Sequence, residues 1–402
     1  MHMMQNLLIY VISPTHVIAS LAAVKALHDN GNISVTMVVY WPGAAEEMID
    51  ELGDVVKKLT SEFPYIETVS TLSHAEFMHL VNPVGPLDST SAVKEFIGKT
   101  DIHEIYYAHD VVGDLYQLLC STYPDAKRIC FGDALGIVYE REVHLSYLRA
   151  VNKELAIKQS VLGRIKQVVN QLFGTSLVPE QVPLKDYKPH KAALILPVDQ
   201  SGNFLKNTPL TVISKNIASV VIGQCSESCR SLNDYLNTTV ETYSNKCLYL
   251  LLTDNFSEGN FIDFDREIDM YCSTIRAHCE PGSVVFLKSH PGETLTRNQR
   301  IVDSMGADYT VVELDKRFKR YPIELWKELV QQTTVICLSY PVLSLKYLYD
   351  IDVVQPMDHA FIEQWFPEWT WRSYKNSLTL YMAPLKNLAT WDGKSVLWSG
   401  NK

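Results

Sequence analysis

Short apolar, β-branched runs alternate with helix-length stretches along most of this chain, and that alternation leaves few folds open. Leu7–Ile12 is an apolar run of strand length. Ser13-Pro14-Thr15-His16 reads as a loop, and Val17–Asp29 has helical spacing that stops at Asn30-Gly31. Ile33–Tyr40 is the next strand and Glu46–Phe63 a charged amphipathic helix. Ile66–Thr71, Glu104–Tyr107 and Arg128–Phe131 are further strands, separated by helical segments. A βαβα series of this kind predicts an α/β fold with a mostly parallel, doubly wound sheet.

Leu148–Phe173 is helical and basic, and the proline- and charge-rich stretch from Val178 to His190 reads as a linker. A second alternating series starts at Ala192–Leu196. Ser219–Ile222, Cys247–Leu252, Val284–Leu287, Tyr309–Val312 and Val335–Leu338 are its later strands. The expected division is 1–185, 186–356 and an aromatic tail, 357–402, that is either plain core or packs back across the hinge. Two Rossmann-like halves joined by a linker imply a deep interdomain cleft, a setting that suits sugar-nucleotide transfer. With 402 residues, 47% hydrophobic and 20% charged, the chain is long enough for two or three domains with sizeable cores.

A net charge of -10 without a basic run argues against duplex nucleic acid as a partner, while leaving room for an anionic small molecule in a local positive pocket. The eight cysteines form no CxxC pair, which disfavours structural zinc and fits a reducing cytoplasm. No apolar run is long enough to span a bilayer, and peripheral attachment at the inner face of the membrane stays open.

Lys288-Ser289-His290-Pro291-Gly292-Glu293 follows the apolar run Val284–Leu287, so it sits where a buried strand gives way to a polar loop. Open α/β sheets bind ligands outside the carboxyl ends of their strands. A lysine and a proline-fixed histidine there can meet a phosphate, one supplying charge and the other a hydrogen bond or proton. Phe131-Gly132-Asp133-Ala134-Leu135-Gly136 occupies a similar place in the first half. Its aspartate either takes a proton from a hydroxyl or caps the next helix. Pro322-Ile323-Glu324 is suited to start a helix. Its glutamate either holds ribose hydroxyls or favours the helix dipole. Cys337-Leu338-Ser339-Tyr340-Pro341-Val342-Leu343-Ser344 ends a strand and opens a helix, which makes either an anion site or an ordinary serine cap.

In this order the segments resemble the bacterial sialyltransferases and polysialyltransferases of GT-B fold. The matches are Asp133 with Gly136, His290-Pro291, Pro322-Ile323-Glu324, and Ser339 or Ser344. The Ile12-Ser13-Pro14-Thr15 loop is also similar to the family's first loop. Gly132 stands where the family's acidic motif has its first acid, and Tyr340 follows Ser339 where a second serine is usual. The resemblance runs to about Tyr349 and does not cover the tail.

It implies an inverting, metal-independent transfer of a nonulosonic acid from a CMP-activated donor to a glycan acceptor, as in surface-polysaccharide synthesis, with no cofactor. The first half would carry the acceptor side and the second the CMP-sugar. By the same resemblance Asp133 is the general base, and His290 with Pro291 meets the departing phosphate. Lys288 adds charge or contacts the cytosine, and Glu324 binds the ribose. Ser339 and Ser344 hold the phosphate, and Thr253 touches the base. Ser13 and Thr15 contact donor or acceptor, and Ser201 and Gly202 are further candidates. Asp263-Phe264-Asp265 heads a helical stretch and reads as capping. His103, His109 and Asp110 straddle a strand and its exit loop and do not make a convincing metal site. The alternatives are a GT-B transferase using another nucleotide sugar, such as CMP-Kdo or a UDP-hexose, and a nucleotide-sugar-binding protein that has lost catalysis.

Overall fold

The computed structural model describes residues 4–28, 31–42, 44–83, 88–108, 113–138, 188–293 and 296–400. The chain divides into two compact units, Met1–Val221 with Asp392–Lys402, and Ile222–Trp391. The first unit carries strands β1 (Gln5–Val11), β2 (Ile33–Val39), β3 (Ile66–Thr71), β4 (Glu104–Tyr107), β5 (Lys127–Cys130), β6 (Ile137–Val138), β7 (Lys191–Leu194), β8 (Val198–Asp199) and β9 (Leu210–Val212). Seven of them form one sheet in the order β3-β2-β1-β4-β5-β7-β9, and every pairing is parallel. Central β1 is buried from Leu7 to Val11, as expected of a strand covered on both faces. The helices between strands follow from their sequences. Glu46–Thr60 buries Ile49, Leu52, Val56 and Leu59, with Glu46 and Glu47 in its first turn and Lys57 and Lys58 in its last, matching the helix dipole.

The second unit carries β10 (Leu248–Leu252), β11 (Val284–Lys288), β12 (Thr310–Glu313), β13 (Thr334–Cys337) and β14 (Val353–Val354) in the all-parallel order β12-β11-β10-β13-β14. The order reverses between β10 and β13. A chain that winds outward on one side of β10 and returns on the other leaves a crevice at their carboxyl ends. The core beneath is built from Leu251, Val285, Leu287 and Ile336 of the strands, with Ile268, Tyr271 and Ile275 of the Phe264–His278 helix. A final strand, β15 (Trp398–Ser399), joins β8 and β6 in a three-stranded parallel sheet of the first unit. Both units are therefore Rossmann-like α/β assemblies. No helix among the described residues is long and apolar enough to cross a membrane.

Several expectations need correction. Pro14, Thr15 and His16 are not loop but the first turn of the Pro14–Leu27 helix, with proline at the position where its missing N–H costs nothing. Ala192–Leu196 does not open the second half: β7 pairs with β5 and completes the first sheet. Ser219–Ile222 is not a strand but part of the Lys215–Glu227 helix. Its buried positions Ala218, Val221, Ile222 and Cys225 follow a helical stripe while Val220 is exposed. The boundary consequently falls at Val221/Ile222 rather than at 185/186. The tail is divided as well. Met357, Ile362, Phe366 and Leu378 join the second unit's core, and residues from Asp392 on belong to the first unit. The expected Leu148–Phe173 helix and most of the linker lie outside the described residues, as do His109 and Asp110.

Candidate functional site

In the first unit the site is built on a tight loop after β5. Gly132, Ala134, Leu135 and Gly136 all have positive φ, at 76°, 39°, 69° and 152°. A side chain on Gly132 would meet the Gly136 Cα at 2.7 Å, and one on Gly136 would meet the Leu196 carbonyl oxygen at 2.2 Å. Two non-glycine residues in the left-handed region cost free energy that the surrounding structure must offset. The loop is pinned by the Asp133 N–H donating to the Ile137 carbonyl and by the Gly136 N–H donating to the Asp133 carbonyl. No helix cap is formed: the next described element after Asp133 is β6.

The Asp133 side chain is tied to the Pro14–Leu27 helix through Oδ1. Its Oδ1 lies 2.9 Å from His16 Nε2 and accepts from the Ala134 N–H at 2.8 Å. His16 Nδ1 accepts from the Ile12 N–H at 3.3 Å. A ring nitrogen that accepts carries no proton, so Nε2 bears the hydrogen and donates to the carboxylate. The imidazole is 4% exposed and Asp133 is 39% exposed, so the carboxylate is the half of the pair that solvent or substrate can reach. Ser13 stands at the N-cap of the same helix without capping it, and Thr15 follows in the first turn. Both are half-buried.

In the second unit the carboxyl ends of β10, β11 and β13 gather most of the other candidates. The Thr253 N–H and hydroxyl both donate to the Lys288 carbonyl, at 3.0 and 3.2 Å, which ties β10 to β11. The buried Lys288 ammonium lies 5.1 Å from the Trp326 ring and donates to the Lys319 carbonyl. Burial pulls its pKa down to about 8 against the pull of Glu324 and Glu293. His290 Nδ1 accepts from the Gly292 N–H at 3.1 Å, which assigns the hydrogen of the neutral ring to Nε2. Burial, with Lys288 and Arg297 nearby, lowers the His290 pKa to about 4, so the ring is neutral at pH 7 and its Nε2–H is able to donate. The Pro291 carbonyl accepts from Arg320 at 2.6 Å.

Glu324 sits in a short 3-10 turn, Ile323–Leu325, that Pro322 precedes. Its Oε1 accepts from the Ser344 hydroxyl at 2.8 Å, and its buried Oε2 has no partner. Burial raises its pKa. Ser344 is itself buried, so its hydroxyl is committed to Glu324. Ser339 is half-buried at the end of β13 and does not cap the following helix, which starts at Pro341 after Tyr340.

Sequence reasoning missed three residues. Asp254 follows Thr253 at the end of β10, receives a hydrogen bond from Ser339, and has a buried Oδ2 without a partner. Burial pushes its pKa up to about 7. Fully buried Arg297 bridges Glu267 at 2.8 Å and Glu293 at 2.7 Å, and so clamps the loop that carries His290. His16 is the third. Asp254 was within reach of the strand-end argument, two residues beyond the Cys247–Leu252 run. Ser201 and Gly202 have structural duties instead: with Leu205 N–H they bind the buried Asp199 carboxylate. Asp263 occupies the N-cap of the Phe264–His278 helix without a side-chain cap bond. His103 Nδ1 accepts from the Asn6 N–H. Among the described residues no group of three His, Cys, Asp or Glu side chains is placed to hold a metal ion.

No protein-family model and no curated protein sequence matches the chain. Solved structures are similar to it at low identity. A 2,6-sialyltransferase from a Photobacterium species, in complex with CMP and lactose, is 10% identical over 94% of this chain and 76% of that one, with a TM-score of 0.46. A Photobacterium damselae sialyltransferase is 11% identical over 94% and 97%, with a TM-score of 0.41. A UDP-N-acetylglucosamine 2-epimerase from Rickettsia bellii is 9% identical over 94% and 88%, with a TM-score of 0.46.

Proposed function

We propose that the protein is an inverting glycosyltransferase of GT-B type that moves a sialic acid or related nonulosonic acid from a CMP-activated donor to a glycan hydroxyl. The observation that carries the reading is the strand-end group of the second unit. There a neutral His290 with its Nε2–H uncommitted, a buried Lys288 cation and the unpartnered Glu324 Oε2 come together. A nucleotide monophosphate sugar needs each of these. Nε2–H and the ammonium stabilise charge on the departing phosphate, and Oε2 accepts from ribose hydroxyls. Ser344 acts here by orienting Glu324, and the phosphate contact falls to Ser339, whose hydroxyl would turn to it from Asp254. Thr253 holds the Lys288 segment in place.

In this reading the bond between the anomeric carbon and the phosphate oxygen breaks and CMP leaves. The acceptor oxygen attacks the opposite face, and its proton passes to Asp133. The transition state is oxocarbenium-like, so most of the demand is for charge stabilisation on the leaving side. No metal enters the scheme.

The test is CMP release from CMP-sialic acid, with and without a lactose-type acceptor. Acceptor-dependent release is expected, and His290→Ala should slow it by about 100-fold or more, the usual worth of a positioned donor. Release from CMP-Kdo or a UDP-sugar but not from CMP-sialic acid would reassign the donor. CMP binding by calorimetry without turnover on any acceptor would leave a nucleotide-sugar-binding protein.

A further inference from the structure

We propose that Asp254 is the positioning residue for Ser339: its carboxylate holds the Ser339 hydroxyl in the free protein, and when a donor phosphate claims that hydroxyl the carboxyl takes up a proton from solvent and donates a hydrogen bond to Ser339 Oγ in return. The inference deepens the CMP-sugar reading and rests on it for the phosphate. β10 and β13 are neighbours where the strand order reverses, and Leu252 pairs with Cys337. Asp254 and Ser339 each lie two residues past that pair, so they leave the sheet side by side at the crevice. The Ser339 hydroxyl donates to the Asp254 carboxylate. The Tyr271 hydroxyl fixes the Asp254 backbone by accepting from its N–H at 2.7 Å. The Ser339 N–H donates to Cys337 Sγ at 3.4 Å, which ties the serine to the end of β13. Asp254 Oδ2 is buried without a partner, so the carboxylate charge depends on the serine bond for much of its compensation.

A phosphate that takes the serine hydrogen bond also brings negative charge beside a buried carboxylate, and both changes favour the neutral acid. Arg297 does little to oppose them, because its guanidinium is shared between Glu267 and Glu293. Burial already raises the Asp254 pKa to about 7 in the free protein, with Glu267 adding to the rise and Ser339 and Arg297 opposing it. Tyr271 and Cys337 also face the carboxyl, and burial keeps both protonated at neutral pH. The acid form holds Ser339 in place: the carboxyl O–H donates to Oγ while the serine O–H donates to the phosphate. The proton returns to solvent when the nucleotide leaves. Lys288, with its pKa at about 8, gains a proton beside a phosphate as well.

The test is calorimetry with CMP in buffers of different ionisation enthalpy, which counts the protons taken up on binding. Asp254→Asn gives the serine an amide donor that needs no proton, so its uptake keeps only the share of Lys288 and of the phosphate itself. At pH 7.5 wild type should take up about half a proton more than the variant. At pH 6 the two should nearly agree, because the wild-type carboxyl is then already protonated. From pH 6 to 8.5 the wild-type affinity should fall about tenfold more than that of the variant. Carbon NMR should show the Asp254 titration moved upward by about a unit or more when CMP is bound. It should also move upward in free Ser339→Ala, which lacks the donor. Equal proton uptake in wild type and Asp254→Asn overturns the inference and leaves the CMP reading intact. So does an Asp254 titration that neither CMP nor Ser339→Ala moves. Absence of CMP binding in both proteins overturns the CMP reading and the inference with it.

Discussion

Asp254 holds its carboxyl in a place that penalises the charge. Its Oδ2 is buried without a partner, and burial raises its pKa from 3.8 to about 7 against the Ser339 hydrogen bond and the Arg297 charge. A carboxyl whose folded pKa lies above its unfolded value contributes stability that is fully present below about pH 4 and is lost as the pH rises to about 7. Asp254→Asn removes that dependence and keeps an acceptor for Ser339. The variant should be more stable than wild type by about 1–3 kcal/mol at pH 8, with little difference near pH 4, as read by urea unfolding at the two pH values. An equal change at both would assign the effect to packing. The same residue shows where legibility ended. The places of Lys288, His290 and Glu324 in the fold were readable, because a strand run or a proline marks each of them. The bond from the Ser344 hydroxyl to the Glu324 carboxylate, 20 residues away, was not legible. His16 was invisible as a partner, since no local pattern links residues 117 apart.

The Gly132–Gly136 loop turns a strand end into a support for Asp133, and its glycines serve different needs. At Gly136 a Cβ would lie 2.2 Å from the Leu196 carbonyl oxygen, whereas at Gly98, the helix C-cap with φ of 72°, a Cβ would meet nothing within 4 Å. Gly98→Ala should therefore cost about 1 kcal/mol of backbone strain, and Gly136→Ala several-fold more, because the backbone must also shift. Denaturant midpoints of the two variants check the contrast. Comparable midpoints would mean that the Leu196 segment yields easily. Strands with continuous apolar runs, such as Leu7–Val11 and Val284–Leu287, were legible because both faces of a parallel strand are buried. Ser219–Ile222 misled for the complementary reason: a β-branched run suggests a strand, yet burial at 218, 221, 222 and 225 has the helical period.

The two-unit organisation was legible as two α/β series, and its boundary was not, because strand pairing decides membership and pairing is not local. β7 looks like a first strand, but its hydrogen-bonding partners are β5 and β9. The chain passes between units twice, within the Lys215–Glu227 helix and again after Trp391. The second passage returns a short segment to the first unit, where β15 pairs with β8 and the Gly400 N–H donates to the Asp199 carbonyl. The fit is close: a Cβ on Gly400 would lie 2.1 Å from the Gln200 carbonyl oxygen, and one on Gly202 would lie 2.3 Å from the Gly400 oxygen. Truncation after Trp391 should therefore act on one unit alone. Amides of β6 and β8 should exchange with solvent at least about tenfold faster, a loss of about 1.4 kcal/mol in local opening, while β10, β11 and β13 keep their protection. Faster exchange in both sheets would instead make the returning segment a stabiliser of the whole chain. Unchanged exchange in β6 and β8 would mean that the small sheet draws its stability from the seven-stranded sheet beside it and nothing from β15.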